Sequence, residues 1–490
     1  MISDALGENA TKGAMFLTIL TFVKKFLGIV RNVILARLLA PEDFGLLALA
    51  MVLIQGMDSL TFVGVDNYLI QNKTITNALT RNAWFLNIVR GVLLTLLALA
   101  TCPFYSQFVN EPSTLNVLWI VAFIPLLEGV KNPGLILAER EIRFGRISIY
   151  EIICAFLEVS VVVAIAWFIR DAEALAWGLL LGVSLKSLLS FFFFPVPGLP
   201  QFDSVHQVKL LSVAKHFAII AAGTLIMVQG DNLIIGAVEG SESLGLYVIA
   251  YQLAIFPVLF LQDIANRVAL VFSSLQYDKK RLRSVLSSVV QLQLAIILPF
   301  VVVLAVFSHE LVITLYGDKW EEAGLVLQAL IFVTLGKGLT HVCVPYILGT
   351  GAFSFASRMK IFETFIFLIF VYLGVQYYGL TGAALGAGVG YMTAGIGRII
   401  FLCFDTDLSF FRIGNYFLLP IGAMLPGVLI ATYLAKRVTW YQPFETVVVL
   451  LIVCFGYIGG SFLVQRNLVD IFLKKIDGQI KNQNLRFWRR

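Results

Sequence analysis

Fourteen apolar segments punctuate the chain from about residue 13 to about residue 465, each long enough to cross a bilayer. A crossing helix needs about 20 mostly apolar residues, because each residue adds only about 1.5 Å of rise. Hydrocarbon offers no partner to a backbone N–H or C=O, so such segments must pair their own backbone, and helices do so. Composition agrees: 59% of residues are hydrophobic and 13% charged, against roughly 45–50% and 25% in soluble domains. A mean hydropathy of +0.89 excludes a soluble enzyme. The expected fold is an all-α integral membrane protein of about 14 transmembrane helices.

The opening MISDALGENA has neither a basic n-region nor a small-residue cleavage site, so the first apolar segment is expected to remain as a transmembrane helix. Lysines and arginines outside the spans concentrate on one side. With the N-terminus in the cytoplasm, only Arg37, Arg170, Lys319, Lys436 and Arg437 fall opposite. Both termini are therefore expected inside. In the tail, residues 466–490, Leu468, Phe472, Ile476 and Ile480 share a helical face among basic residues, the pattern of an interfacial helix on an anionic leaflet. A net charge of +6 is explained by this topology and does not point to nucleic acid.

Cys102, Cys154, Cys343, Cys403 and Cys454 are dispersed through apolar segments, a pattern of small packing residues rather than of a metal cluster or disulfide framework. His206, His216, His309 and His341 are equally scattered. No Walker sequence is present, and the glycine-rich run Gly379 to Gly397 lacks the strand and the Gly-Lys-Ser/Thr of a nucleotide loop. Close helix packing is the expected use of that run. No resident cofactor is expected beyond coupling to H⁺ or Na⁺.

The chain repeats itself. Arg31 to Ala50, RNVILARLLAPEDFGLLALA, aligns without a gap on Asp231 to Ala250, DNLIIGAVEGSESLGLYVIA, 200 residues later. Asn32/Asn232, Ile34/Ile234, Glu42/Glu242, Gly45/Gly245, Leu46/Leu246 and Ala50/Ala250 are identical. A parallel repeat of this kind is an architecture of alternating-access transporters. The expected division is residues 1–200, an N-terminal lobe of six helices; 201–404, a second lobe of six; 405–465, two further helices; and the tail.

Cations inside the first-half spans are the chemical anomaly, because each is costly at the centre of a bilayer. They are Lys24, Lys25, Arg31, Arg90, Lys131 and Lys186. Lys24, Gly28, Arg31 and Leu35 share one helical face. The same half holds four acids, Asp58, Glu128, Glu151 and Glu158, with the last two seven residues apart on one face and expected to reach Lys131 or Lys186. Two readings stand: the cations meet an anionic substrate, or they pair with these acids. The acids themselves either pair or carry coupling ions.

Four stretches resemble the polysaccharide-transporter (Wzx-type oligosaccharide flippase) branch of the multidrug/oligosaccharidyl-lipid/polysaccharide exporter superfamily. They are FLGIVRNVILARLLAPEDFGLLALA, LAEREIRFGRISIYEI, GDNLIIGAVEGSESLGLYVIAYQL and LYGDKWEEAGLVLQAL, in the order the branch has them. The resemblance implies two lobes around a cavity. It also implies flipping of undecaprenyl-pyrophosphate-linked oligosaccharide across a bacterial cytoplasmic membrane, with lipids and polysaccharide polymerase or export machinery as partners. The cavity cations of the related lipid II flippases fall on Lys25 and Arg31, the first being arginine in that branch. Lipid II flipping, small-molecule antiport and polysaccharide polymerase or ligase activity are the competing expectations.

Overall fold

The computed structural model describes residues 2–61, 69, 76–141, 144–203, 225–259, 279–349, 353–437, 453 and 457. Among them the chain is helical throughout, apart from short connections, with no strand. The helices in order are α1 (Ile2–Leu38), α2 (Pro41–Leu60), α3 (Asn77–Phe108), α4 (Thr114–Val121), α5 (Ile124–Val130), α6 (Gly134–Arg140), α7 (Phe144–Phe168) and α8 (Ala172–Phe193). They continue with α9 (Leu225–Leu259), α10 (Lys279–Tyr316), a 3-10 turn (Asp318–Trp320), α11 (Ala323–Ala329), α12 (Ile331–Gly349), α13 (Phe353–Thr406) and α14 (Phe410–Arg437). The basic tail, His206, His216 and, apart from residues 453 and 457, the expected last span lie outside the described residues.

Eight of these helices are long and apolar enough to cross a membrane, and a bent pair, Thr114–Val130 with Gly134–Arg140, makes nine. The bend of 59° falls where proline interrupts the apolar run, with Pro125 opening α5 and Pro133 preceding α6. Two helices each hold parts of two expected spans. α13 runs 54 residues through a break at Gly379, whose φ of 59° L-side chains rarely adopt. α9 contains the corresponding break at Gly240, φ 85°. The expected count of 14 therefore has a structural counterpart for most of its members, while the count itself is not resolved by the described residues.

Local chemistry sets the helix starts. The Thr76 hydroxyl accepts from Leu79 N–H, and Asp171 accepts from the N–H groups of Glu173 and Ala174. At α2, Pro41 occupies the first turn and Asp43 takes the Ala40 N–H at 2.8 Å.

Packing divides the chain into two compact units. The first comprises residues 1–249, 318–320 and 371–383; the second comprises 250–317, 321–370 and 384–490. The first is centred on Leu46, Ala50, Ile54, Ala98, Leu118 and Ala176, from α2, α3, α4 and α8. The second is centred on Leu286, Val290, Leu294, Cys343, Tyr346 and Leu402, from α10, α12 and α13. The described cysteines, Cys102, Cys154, Cys343 and Cys403, are buried and unbridged.

Within the first unit the sequence repeat meets itself. A methyl added at Gly45 would run into the Ser241 carbonyl, and one at Gly245 into the Pro41 carbonyl. Residues 41 and 241, like 45 and 245, are equivalent under the 200-residue offset, so the contact is reciprocal: a local two-fold crossing of backbone on backbone. Around it, Glu111 accepts from the Ser241 N–H at 2.8 Å. The buried Trp320 indole donates to the Ala36 carbonyl, and the Lys319 ammonium donates to the carbonyls of Arg37 and Leu39, closing the C-terminus of α1. Burial lowers the pKa of that ammonium, and the Asp43 carboxylate opposes the shift.

The glycine run packs as its spacing implies. Cβ atoms at Gly388 and Gly390 would crowd Phe332 and Phe367, at 2.6 and 2.8 Å.

Candidate functional site

α1 and α7 are joined by a two-rung ladder. Lys24 Nζ donates to Glu151 Oε2 at 2.6 Å, and Arg31 Nη1 donates to Glu158 Oε1 at 2.7 Å. Both pairs span 127 positions. The rungs are therefore seven residues apart on each helix, the helices run in the same direction, and the rungs are about 10 Å apart along the axis. Both are open to the surroundings: side-chain exposure is 41% and 14% for the first pair, 32% and 35% for the second. Gly28 lies between them, and no described atom comes within 4 Å of where its Cβ would be. Glu158 reaches Arg31 because α8 offers Gly182 opposite its stem. A Cβ there would sit 2.8 Å from Glu158 Cγ.

The remaining first-half charges take different roles. Lys186 approaches the second oxygen of Glu151, at 3.5 Å, so one carboxylate is shared by two cations. Of the expected partners for the two glutamates, Lys186 meets Glu151, whereas Glu158 goes to Arg31. Lys131 lies 3.9 Å from Glu128, one helical turn away in sequence. Arg90 binds Asp58 Oδ1 at 2.5 Å and also donates to the carbonyls of Asp58 and Thr61, the open end of α2. It caps a helix as well as pairing. Lys25 stands half-exposed beside Lys24. Six cations and four carboxylates leave this region two positive charges in excess.

The second unit contains a network absent from the sequence expectations. Arg398 Nη2 bonds Glu363 Oε2 at 2.7 Å, with side chains only 4% and 2% exposed. Its Nη1 donates to Thr340 Oγ1 at 2.9 Å, and Lys360 stands 3.8 Å from the same carboxylate. Lys337 donates to the Tyr251 hydroxyl and lies over two rings, 4.9 Å from the centroid of Tyr251 and 4.6 Å from that of Tyr391. Lys337 and Arg398 are visible in the sequence as intramembrane cations. Glu363 carries the same kind of signal, a carboxylate inside an apolar segment. Among the described residues, no three His, Cys, Asp or Glu side chains form a metal cluster.

The fold is that of solved membrane transporters. The lipid II flippase MurJ, in an inward closed conformation, superimposes with a TM-score of 0.71, covering 93% of this chain and 99% of that one at 15% identity. An inward-facing multidrug resistance MATE transporter of the MOP superfamily gives 0.67, covering 80% and 98% at 14% identity. Residues 34–324 match the family described as polysaccharide biosynthesis protein, and the chain belongs to that family. It is 25% identical over 391 residues to the lipopolysaccharide biosynthesis protein WzxC of Escherichia coli (strain K12), covering 78% of each chain.

Proposed function

We propose that this protein carries oligosaccharide linked to undecaprenyl pyrophosphate from the inner to the outer leaflet of a bacterial cytoplasmic membrane, for surface polysaccharide synthesis. Family membership and the transporter fold support transport rather than enzyme catalysis. The observation that carries the choice of substrate is the open ladder of Lys24 and Arg31, set in a region with two cations in excess. A diphosphate linkage is doubly anionic, and arginine and lysine complement it in different ways: one by a fork of donors, the other by a mobile point charge.

In this reading Lys24, Lys25 and Arg31 receive the diphosphate, Lys131 and Lys186 add field, and the prenyl chain stays in lipid. Arg90 is bound to the end of α2 and contributes mainly by holding that helix. Asp58, Glu128, Glu151 and Glu158 set the charge of the site. The site opens alternately to the two sides of the membrane. Basic loops support cytoplasmic termini, and the 200-residue repeat supports a division into two six-helix lobes. Polysaccharide polymerase and export components are the partners that would take up the product.

The test is sidedness. Cells lacking this protein should accumulate lipid-linked oligosaccharide that an impermeant probe cannot reach in spheroplasts. Wild type should relieve the block and Arg31→Ala should not, at equal membrane insertion. Unchanged sidedness in the deleted strain would overturn the reading and leave antiport as the function.

A further inference from the structure

We propose that Glu151 and Glu158 are internal stand-ins for the phosphates of the cargo, holding Lys24 and Arg31 until the cargo displaces them. This rests on the flippase reading above and adds two carboxylates that compete with substrate rather than bind it.

Three features support the exchange. First, the rungs share one register, 127 positions on both, so sliding or turning α1 against α7 would release both cations together. Second, the hold is incomplete. Arg31 gives Glu158 only Nη1, its Nε goes to Asn32 Oδ1 at 3.3 Å, and Nη2 has no partner among the described residues. A fork gripped at one prong keeps donors ready for a phosphate oxygen. Third, there is room: the cations of the two rungs, Lys24 and Arg31, are 41% and 32% exposed, and the Gly28 position between them is open among the described residues. Glu151 also has a second cation to fall back on, Lys186 at 3.5 Å, so losing Lys24 does not strand it.

The consequence is of unusual sign. Neutralising a residue that merely supports the site should weaken binding or leave it alone. Neutralising a competitor should strengthen binding. The probe is farnesyl pyrophosphate, titrated calorimetrically into the full-length protein in nanodiscs, for wild type, Glu158→Gln, Glu151→Gln, Arg31→Ala and the double variant Arg31→Ala/Glu158→Gln. Glu158→Gln should bind about fivefold more tightly than wild type, the scale of one exposed ion pair. Glu151→Gln should change in the same direction. The double variant should bind as weakly as Arg31→Ala, because the competitor acts only through Arg31. If wild type binds and Glu158→Gln binds equally or more weakly, the stand-in role is wrong and the flippase reading survives. If wild type itself does not bind the diphosphate, both fall. A monodisperse elution profile and an unchanged melting temperature for each Gln variant keep misfolding out of the comparison.

Discussion

Two arginine–glutamate pairs, one in each packing unit, have the same 2.7 Å bond and opposite surroundings. Arg31–Glu158 is about one-third exposed on both sides, while Arg398–Glu363 is almost wholly enclosed. Distance alone would rank them equal. Burial separates them: an enclosed charge whose partner is removed has nothing to solvate it, whereas an exposed one exchanges partners readily. The first pair is suited to being broken in use, and the second to holding the two arms of α13 together across the break at Gly379.

The sharpest way to break that contrast is Glu363→Ala, which leaves Arg398 enclosed and unpaired. It should cost about 3–5 kcal/mol of stability, read as a large fall in melting temperature in detergent. Replacing both partners, Glu363→Leu with Arg398→Met, should recover much of that loss, since apolar residues need no solvation. Next in size is a change that touches neither pair. Gly45→Ala or Gly245→Ala forces two backbones apart and should cost about 1–3 kcal/mol each. The two losses should be similar, because the contacts are reciprocal, and a double variant should cost less than their sum. Smallest is Glu158→Ala, which should change stability by about 1 kcal/mol or less. Its effect should shrink further in high salt. A loss comparable to that of Glu363→Ala would erase the distinction between the pairs.

Much of the fold was legible because hydrocarbon leaves helices little choice. Most span positions and the packing use of the glycine run followed from length and small-residue spacing. The members of the candidate site were legible too, since an ionisable side chain in an apolar run is conspicuous. Their partners were not. Helical periodicity says that Glu151 and Glu158 share a face; it does not say which neighbouring helix that face meets, and a choice between Lys131, Lys186 and α1 depends on packing between elements far apart in sequence. The same gap hid the helix-capping of Arg90, whose acceptors are backbone carbonyls and leave no trace in residue identity. It also hid Lys337 on its two tyrosine rings, because aromatic residues are common in membrane helices and their pairing with one cation is a tertiary event.

The crossing of Gly45 and Gly245 contains no side chain from either glycine. The glycines bring no rotamers to lock and no charge of their own, so the two backbones meet without an intervening side chain. The Glu111 carboxylate, bonded to the Ser241 N–H at 2.8 Å, anchors one side of the crossing. A joint made of backbone fixes the separation of two segments 200 residues apart by covalent dimensions alone, with no glycine side chain to adjust it.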